Sequence, residues 1–377
     1  MICSICNNEN SQLVFQSKNN EKALTSINTI ITHNITVFYC KNCNHVFKNP
    51  ISELDNFYTL NYKINLESAD HDQFIMDINN NLVLRNCYQS EILETILNLS
   101  EHSSINIFDY GAGKGATLRY LFNKYKKLNI FLYDYDDAYQ AYWQWLPESN
   151  RFINNCDFNL KVDCVCSFFV MEHVFDLNTY INNVNKLLNN NGDFIFIVPD
   201  MYSNYGDLMV ADHIHHFSEN SINIFLSRYG FKVLKIFKNF IPQAFVVHAK
   251  KKNDVKSLNR KINLIERINK IIFFWITYQE KLKKIDEQLV DKSVIYGAGF
   301  YGSFLYANLK NKSHISYFVD SNSKLNGLKR FGIPIVDPND ILSIEGQVLI
   351  GMNPSHIKDQ LKKIDFLKNK NIKYILY

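Results

Sequence analysis

Three groups of residues in this sequence have the types and spacing to do chemistry. The first lies in INIFDYGAGKGATL, residues 105–118, where Asp109 is followed by Gly111, Gly113 and Gly115. Strand-like residues lead into the acid, and a helical pattern (Leu118, Leu121, Phe122) follows the last glycine. The stretch therefore predicts a strand, a tight turn and a helix start. Glycine has no Cβ and tolerates positive φ, so the backbone of such a turn can approach a ligand closely. Asp134 ends the next strand-like run, about 20 residues on, where an acid is placed to bond ribose hydroxyls. The second group is two C-x-x-C pairs, Cys3 with Cys6 and Cys40 with Cys43. Four thiolates so paired suit tetrahedral Zn²⁺. The third is Asp212, His213, His215 and His216 within five positions. Imidazole is the side chain best suited to move protons near neutral pH.

A regular alternation supplies the frame for these groups. Helical periodicity runs from about Phe74 to Leu99. Strands are predicted at 105–109, 130–134, 151–153, 162–168 and 193–198, and helices at 116–126, 137–146, 177–188 and 219–228. This rhythm predicts a mostly parallel sheet with helices on both faces, in which ligands bind beyond the carboxyl ends of the strands. Asp109, Asp134, Asp157 and Ser167 fall at or near those ends. Phe231–Phe237 and Ala244–Ala249 read as an antiparallel pair that closes the sheet. A long helical pattern over about 255–289 then leads to SVIYGAGFYG, where Gly297, Gly299 and Gly302 form G-x-G-x-x-G, and Asp320 ends the next strand. Alone this motif favours NAD. The tail of about 90 residues is only half the size of a two-halved dinucleotide fold, which counts against NAD.

Composition narrows the classes. The chain has 377 residues, 46% hydrophobic and 21% charged, with a net charge of +4. Its length fits two or three domains, divided here as 1–60, 65–252 and 253–377. The lysines lie among asparagines and acids rather than in one block, so no nucleic-acid partner is expected. Cys3 and Cys6 stand where a leader needs a charged region and an apolar core, and the longest apolar run, Ile271 to Tyr278, is too short to span a bilayer. These features predict a cytoplasmic protein with no membrane partner, whose eight cysteines stay reduced. Cys87, Cys156, Cys164 and Cys166 lack ligand spacing and read as core residues. Between the C-x-x-C pairs, Ile27 to Phe38 alternates apolar and polar and predicts a short hairpin. So little apolar sequence cannot fold alone, so the metal's role is structural.

The spacing D-x-G-x-G-x-G at 109–115 resembles motif I of the class I S-adenosylmethionine (SAM)-dependent methyltransferases. That resemblance places Gly111, Gly113 and Gly115 against the amino-acid end of SAM and Asp134 on its ribose. It also places Asp157-Phe158 on the adenine, and it makes Asp109, Tyr135 and Ser167 further candidates for cofactor binding. The segment VDCVCSFFVMEHVFD resembles the family's post-motif region, with the match carried by Glu172 and His173.

The four-cysteine start, this core and the nucleotide-fold tail together resemble the sugar-nucleotide C-methyltransferases of deoxysugar biosynthesis, over almost the whole chain. The fold class implied is α/β: a class I methyltransferase doubly wound sheet with a small N-terminal zinc-binding domain and a C-terminal Rossmann-like domain. SAM and Zn²⁺ are the implied cofactors. The implied acceptor is a small molecule, a nucleotide-linked sugar of surface-glycan or deoxysugar biosynthesis, approached by Tyr62, Glu172, Gly297, Gly299 and Gly302. The family's base region reads roughly Y-H-E-H-x-x-Y-F-S. Aligned on Phe217-Ser218, it places Asp212 on the Glu and His213 on the second His. His213 is then the expected base, Asp212 its orienter, and His173 and His216 helpers. Val210, Ala211 and His216 depart from the pattern, so C- and O-methylation both stay open. A monomer or small homo-oligomer is expected. Three other readings stay open: SAM-dependent methylation of a non-sugar metabolite, a non-catalytic zinc-containing nucleotide-binding scaffold, and an NAD-dependent enzyme using the tail.

Overall fold

The computed structural model describes residues 1–18, 22–51, 73–79, 81–154, 158–252, 255, 263–340, 344–354, 357 and 374–375. Tyr62, Cys156 and Asp157 lie outside the described residues. Two compact units form. One takes residues 1–12, 38–200 and 214–263, and the other takes 13–37, 201–213 and 264–377.

The first unit is built on a seven-stranded sheet. Its strands are β1 (Asn106–Tyr110), β2 (Asn129–Asp134), β3 (Arg151–Ile153), β4 (Val162–Phe168), β5 (Leu188–Pro199), β6 (Phe231–Phe237) and β7 (Ala244–Lys251). Their order is β3-β2-β1-β4-β5-β7-β6. The first five run parallel, β7 lies antiparallel to β5, and β6 lies antiparallel to β7. Strand order reverses between β1 and β4, and at such a switch point the two outgoing loops diverge and leave a crevice. The glycine turn leaves β1 there.

Four helices cover the sheet: α1 (Arg85–Leu97), α2 (Ala116–Lys124), α3 (Leu177–Leu187) and α4 (Glu219–Arg228). Alternate strand residues point to opposite faces. Phe108, Val165 and Phe196 accordingly pack with Ile181 of α3 and Phe225 of α4. Ile107, Cys164, Cys166 and Ile195 pack with Leu118 and Leu121 of α2 and with Trp143. Cys164 and Cys166 are thus the core residues they were expected to be.

Three local expectations fail for identifiable reasons. Residues 74–99 are not one helix. Phe74–Met76 and Leu82–Leu84 form an antiparallel hairpin, and only Arg85–Leu97 is α-helical. Asp77 ends the apolar run by accepting the Asn79 and Asn81 amides at 2.8 and 2.7 Å, and a short carboxylate that bonds the backbone two and four residues on closes a turn. Residues 137–143 form a 3₁₀ rather than an α-helix, capped by Asp136. β5 begins at Leu188, ahead of the expected Asn-Gly turn. Leu188 already pairs with Val162, and Asn191 absorbs the irregularity with φ +64°.

The second unit holds α5 (Ile265–Glu287), β8 (Ser293–Tyr296), α6 (Phe300–Asn308), β9 (Ile315–Val319), β10 (Lys329–Arg330), β11 (Ile333–Val336), β12 (Val348–Ile350) and β13 (Tyr374–Ile375). The sheet order is β10-β11-β9-β8-β12-β13, and every pairing is parallel except that of β10 with β11. The N-terminal hairpin of this unit pairs Lys22–Leu24 with Ile30–Thr32, a few residues before the expected position, and turns through Asn28 at φ +60°. No described helix is long and apolar enough to cross a membrane.

Candidate active site and cysteine cluster

The turn after β1 is held open from several sides. Gly111, Gly113 and Gly115 have φ of +90°, +51° and +67°, a region that side chains disfavour. A Cβ on Gly111 would stand 2.4 Å from Val170 Cγ2, and one on Gly115 would stand 2.6 Å from Leu132 Cδ1. A Cβ on Gly113 would meet nothing within 4 Å. The outer glycines are therefore required by packing, and the middle one borders open space. Trp143, fully buried, donates from Nε1 to the Gly113 carbonyl at 2.8 Å and fixes the turn from below.

Asp134 Oδ2 accepts the Gly113 N–H at 2.7 Å. A carboxylate has about four lone-pair sites, so the remainder can accept a diol. Burial raises its pKa to about 6, and the Gly113, Asp136 and Tyr135 amides oppose the rise. Asp109 is 3% exposed, and burial raises it from 3.8 to about 7. The Cys166 thiol pulls its pKa down and the Asp134 charge pushes it further up. A buried carboxylate in this state favours a cationic ligand, since such a charge offsets the desolvation.

A stability prediction follows. The folded-state pKa of Asp109 lies above its unfolded value, so the ionised form opposes folding. That penalty is absent below about pH 4 and complete above about pH 7. Asp109→Asn removes it. The ligand-free variant gains stability at pH 8, of order 4 kcal/mol for three pKa units as an upper value, and shows little change at pH 4. Thermal melts at the two pH values check this, and an equal shift at both pH values contradicts it.

Ser167 and Phe158 sit deeper than expected. Ser167 is 1% exposed and donates its hydroxyl to the Tyr110 carbonyl at 2.8 Å, so it braces the ends of β1 and β4. Phe158 meets the rings of Phe108 and Tyr133 edge-on, with centroids 5.0 and 5.2 Å away. Tyr135 is half exposed after Asp134. Phe169, which no sequence signal picked out, holds φ +57° at the end of β4, with its N–H on the Ile197 carbonyl. A bulky residue rarely adopts that conformation. Here it turns the chain so that Val170 fills the space beneath Gly111.

The Asp-His group divides between the units. In the second unit His213 Nδ1 lies 2.6 Å from Asp207 Oδ1, and Asp207 is 2% exposed. Asp212 is not its orienter, because its carboxylate accepts the Ser26 N–H at 2.7 Å and the Ser26 hydroxyl at 2.6 Å, closing the hairpin turn. The loop that carries Asp207 is built into its unit. The Tyr301 hydroxyl donates to Asn204 Oδ1 at 2.9 Å and accepts the Gly206 N–H at 2.6 Å, and Trp275 Nε1 donates to the Tyr205 carbonyl at 2.8 Å.

In the first unit, His215 and His216 pair in a strand with Phe47 and Val46. His216 is 1% exposed, so a helper role in proton transfer is replaced by a structural one. His215 Nδ1 lies 3.0 Å from His45 Nε2, and burial lowers both imidazoles, that of His215 to about 3. The Glu172 carbonyl accepts the Ile214 and His215 amides at 2.7 and 3.1 Å, and Glu172 is fully buried. His173 is half-buried in the turn after Val170.

The four cysteines converge. Cys3 and Cys43 sulfurs lie 3.5 Å apart, as do those of Cys6 and Cys40, and all four fall within 4.8 Å of one another. Zn–S bonds of about 2.3 Å give tetrahedral edges of about 3.8 Å, so the cluster fits zinc. Packed this closely, the thiols shift one another's ionisation in opposite directions. The contact with Cys3 lowers Cys6 and Cys40, while Cys3 and Cys43 are raised by their contacts with Cys40 and Cys3 respectively. Each pair is followed by an asparagine in the left-handed region, Asn7 at φ +55° and Asn44 at φ +59°. Their amides return to the Cys3 and Cys40 carbonyls at 2.8 and 2.9 Å. The knuckle is continuous with the core of its unit, packing with Phe47, Phe217 and Phe225. Asn220 donates to the Cys43 carbonyl at 3.1 Å, and Arg228 donates to the Ile5 carbonyl.

The tail has its own glycine turn. Gly297 has φ +101°, and a Cβ on Gly302 would stand 1.9 Å from the Gly297 carbonyl oxygen. A Cβ on Gly299 would meet nothing within 4 Å. Asp320 Oδ2 accepts the Ala298 N–H at 2.8 Å, the same relation that Asp134 has with Gly113.

Residues 84–236 match a family described as a methyltransferase domain. No curated protein matches the chain. Among solved structures, a 1,6-didemethyltoxoflavin-N1-methyltransferase from Burkholderia thailandensis is 19% identical over 44% of this chain and 77% of its own, with a TM-score of 0.35. Coclaurine N-methyltransferase is 12% identical over 49% of this chain and 61% of its own, with a TM-score of 0.39. A SAM-dependent methyltransferase from Mesorhizobium loti is 16% identical over 43% of this chain and 97% of its own, with a TM-score of 0.34. The domain match covers α1 through β6, the span that holds the glycine turn, Asp109 and Asp134. Residues 84–236 are therefore a methyltransferase domain.

Proposed function

We propose that the enzyme methylates carbon or oxygen of a nucleotide-linked sugar, with His213 as the base and a structural zinc on Cys3, Cys6, Cys40 and Cys43. The observation that carries the base is the 2.6 Å contact between His213 Nδ1 and buried Asp207. A carboxylate on Nδ1 holds the proton there, so Nε2 is the basic nitrogen. It also stabilises the imidazolium formed when Nε2 takes a proton. The sugar-nucleotide acceptor is supported by the second glycine turn, whose open middle residue Gly299 and engaged acid Asp320 repeat the arrangement around Gly113 and Asp134.

SAM, when bound, supplies a methyl group already activated on a sulfonium. The chain's residues do the rest. Gly113 gives the donor close access to the backbone, and Asp134 orients its ribose. His213 accepts the proton that the acceptor loses, a contribution of about 10²–10⁴ in rate. For an oxygen acceptor that proton is the hydroxyl's. For a carbon acceptor it is an α-hydrogen beside a carbonyl. Positioning the acceptor in line supplies much of the remaining gain.

The test is methyl-labelled SAM incubated with a panel of nucleotide sugars and, separately, of non-nucleotide metabolites. Label on a nucleotide sugar is the expected result. Label only on a non-nucleotide acceptor overturns the sugar-nucleotide reading and leaves the donor site in place.

A further inference from the structure

We propose that the protein forms a two-fold homodimer through the outer face of α5, the two helices lying antiparallel about Phe273 and Ile276. The inference begins with what the helix buries. Ile268, Ile271, Trp275, Tyr278 and Leu282 make its inner face and are 7% exposed or less. They recur at intervals of three and four residues, the spacing of one helix face. The opposite face is not polar at its centre. Phe273 is 70% exposed, more than any other large apolar side chain among the described residues, and Ile276 is 46% exposed. Residues 271–276, IIFFWI, are therefore apolar on every side of the helix. A helical segment of that kind is ordinarily covered all round. One exposed apolar side chain needs no explanation, but two on a single stripe between matched charges do.

The charges on that stripe identify what covers it. Glu266, Lys270, Phe273, Ile276, Glu280 and Lys284 follow one another along the outer face, and all six are exposed. Their spacing keeps them on one side of the helix. Read backwards, the order is Lys, Glu, Ile, Phe, Lys, Glu, so every charge stands where its opposite stood. A second copy of α5 laid antiparallel sets Glu266 against Lys284, Lys270 against Glu280 and Phe273 against Ile276. The three pairings share one axis, since their midpoints differ by half a residue, about 0.8 Å of helix rise. Each occurs twice, because a two-fold axis makes the surface its own complement. A parallel copy would instead oppose like charges at all four levels. Glu266 with Lys270, and Glu280 with Lys284, could serve as pairs within the helix, but none of the four makes an ion pair among the described residues. The stripe runs about 27 Å, the length of one helix contact, so the dimer is a weak one, with dissociation in the micromolar range.

Sedimentation velocity on the zinc-loaded full chain reads the association. The wild type passes from monomer to dimer as its concentration rises through the micromolar range. Phe273→Glu puts a carboxylate from each copy into the apolar centre and stays monomeric throughout. Lys284→Glu faces Glu266 of the other copy at both ends of the contact and weakens the dimer by roughly tenfold. Adding Glu266→Lys to Lys284→Glu exchanges the two charges and restores the wild-type affinity to within about threefold. Melting temperatures show that each variant is folded, as substitution of exposed side chains predicts. A wild type that remains monomeric at several hundred micromolar overturns the proposal. A dimer that survives in folded Phe273→Glu forms elsewhere on the molecule and also overturns it. A double variant no stronger than Lys284→Glu alone rules out the antiparallel register. If Phe273→Glu does not fold, the charge exchange alone decides the matter.

Discussion

In His213→Ala, kcat falls by roughly 10²–10⁴ while the affinity for S-adenosylhomocysteine stays within about twofold. The loss is large because the acceptor must part with a proton as the methyl arrives, and His213 carries a buried carboxylate on its Nδ1. His216 is buried in a strand pair, and His215 is bonded to His45. The donor affinity holds because the glycine turn and Asp134 belong to the other unit's sheet. Asp207→Asn should also slow turnover, by less than His213→Ala, since an amide can place its NH₂ toward Nδ1 and favour the wrong tautomer. The slope of kcat against pH, which reports the base, should flatten in His213→Ala and shift in Asp207→Asn. Wild-type turnover in His213→Ala removes it as the base.

Removing the metal has the second large effect. Cys43→Ser, or treatment of the wild type with a strong chelator, should lower the melting temperature by at least roughly 10 °C, with most of the variant accumulating unfolded. Structural zinc contributes about 10–16 kcal/mol of apparent binding energy in small domains, which is comparable to the whole stability of a typical protein. The effect should not stay local. Cys3, Ile5, Cys40 and Cys43 belong to the same core as Phe217, Phe225 and Phe231, and Arg228 and Asn220 of α4 bond the knuckle backbone. Donor binding should therefore fall along with the zinc content, as measured by elemental analysis of the same samples. A melting temperature unchanged by complete metal removal contradicts the structural role.

The parts of this molecule that were legible in its sequence are those whose physics is local. A turn that needs φ above zero at alternate positions calls for glycine, so Gly111, Gly113 and Gly115 announce themselves. Thiols three positions apart on a turn do the same. Asn7 and Asn44 could have been read too, since C-x-x-C-N occurs twice and asparagine tolerates the left-handed region. The strands of the central sheet were legible because their apolar runs are short and bounded. Asp207 was not. Neighbourhood in sequence favoured Asp212, but the hairpin turn at Ser26 occupies that carboxylate. That choice depends on which segment folds onto the loop, and no spacing rule encodes it. Val170 beneath Gly111, Trp143 on the Gly113 carbonyl and Ser90 on the Thr117 carbonyl of α2 are hidden for the same reason. Each is a tertiary contact made by a residue whose type is ordinary. Asp77 shows the opposite failure, a local turn signal overridden in the reading by the apolar periodicity on either side of it.

The most direct measurement is titration of S-adenosylhomocysteine into the zinc-loaded protein, beside Asp134→Ala. One-to-one binding by the wild type, weakened at least tenfold in the variant, is what a glycine turn with an open middle residue and a ribose-holding acid requires. Absence of binding by folded wild-type protein, or equal binding by the variant, contradicts the assignment of this turn as the donor site.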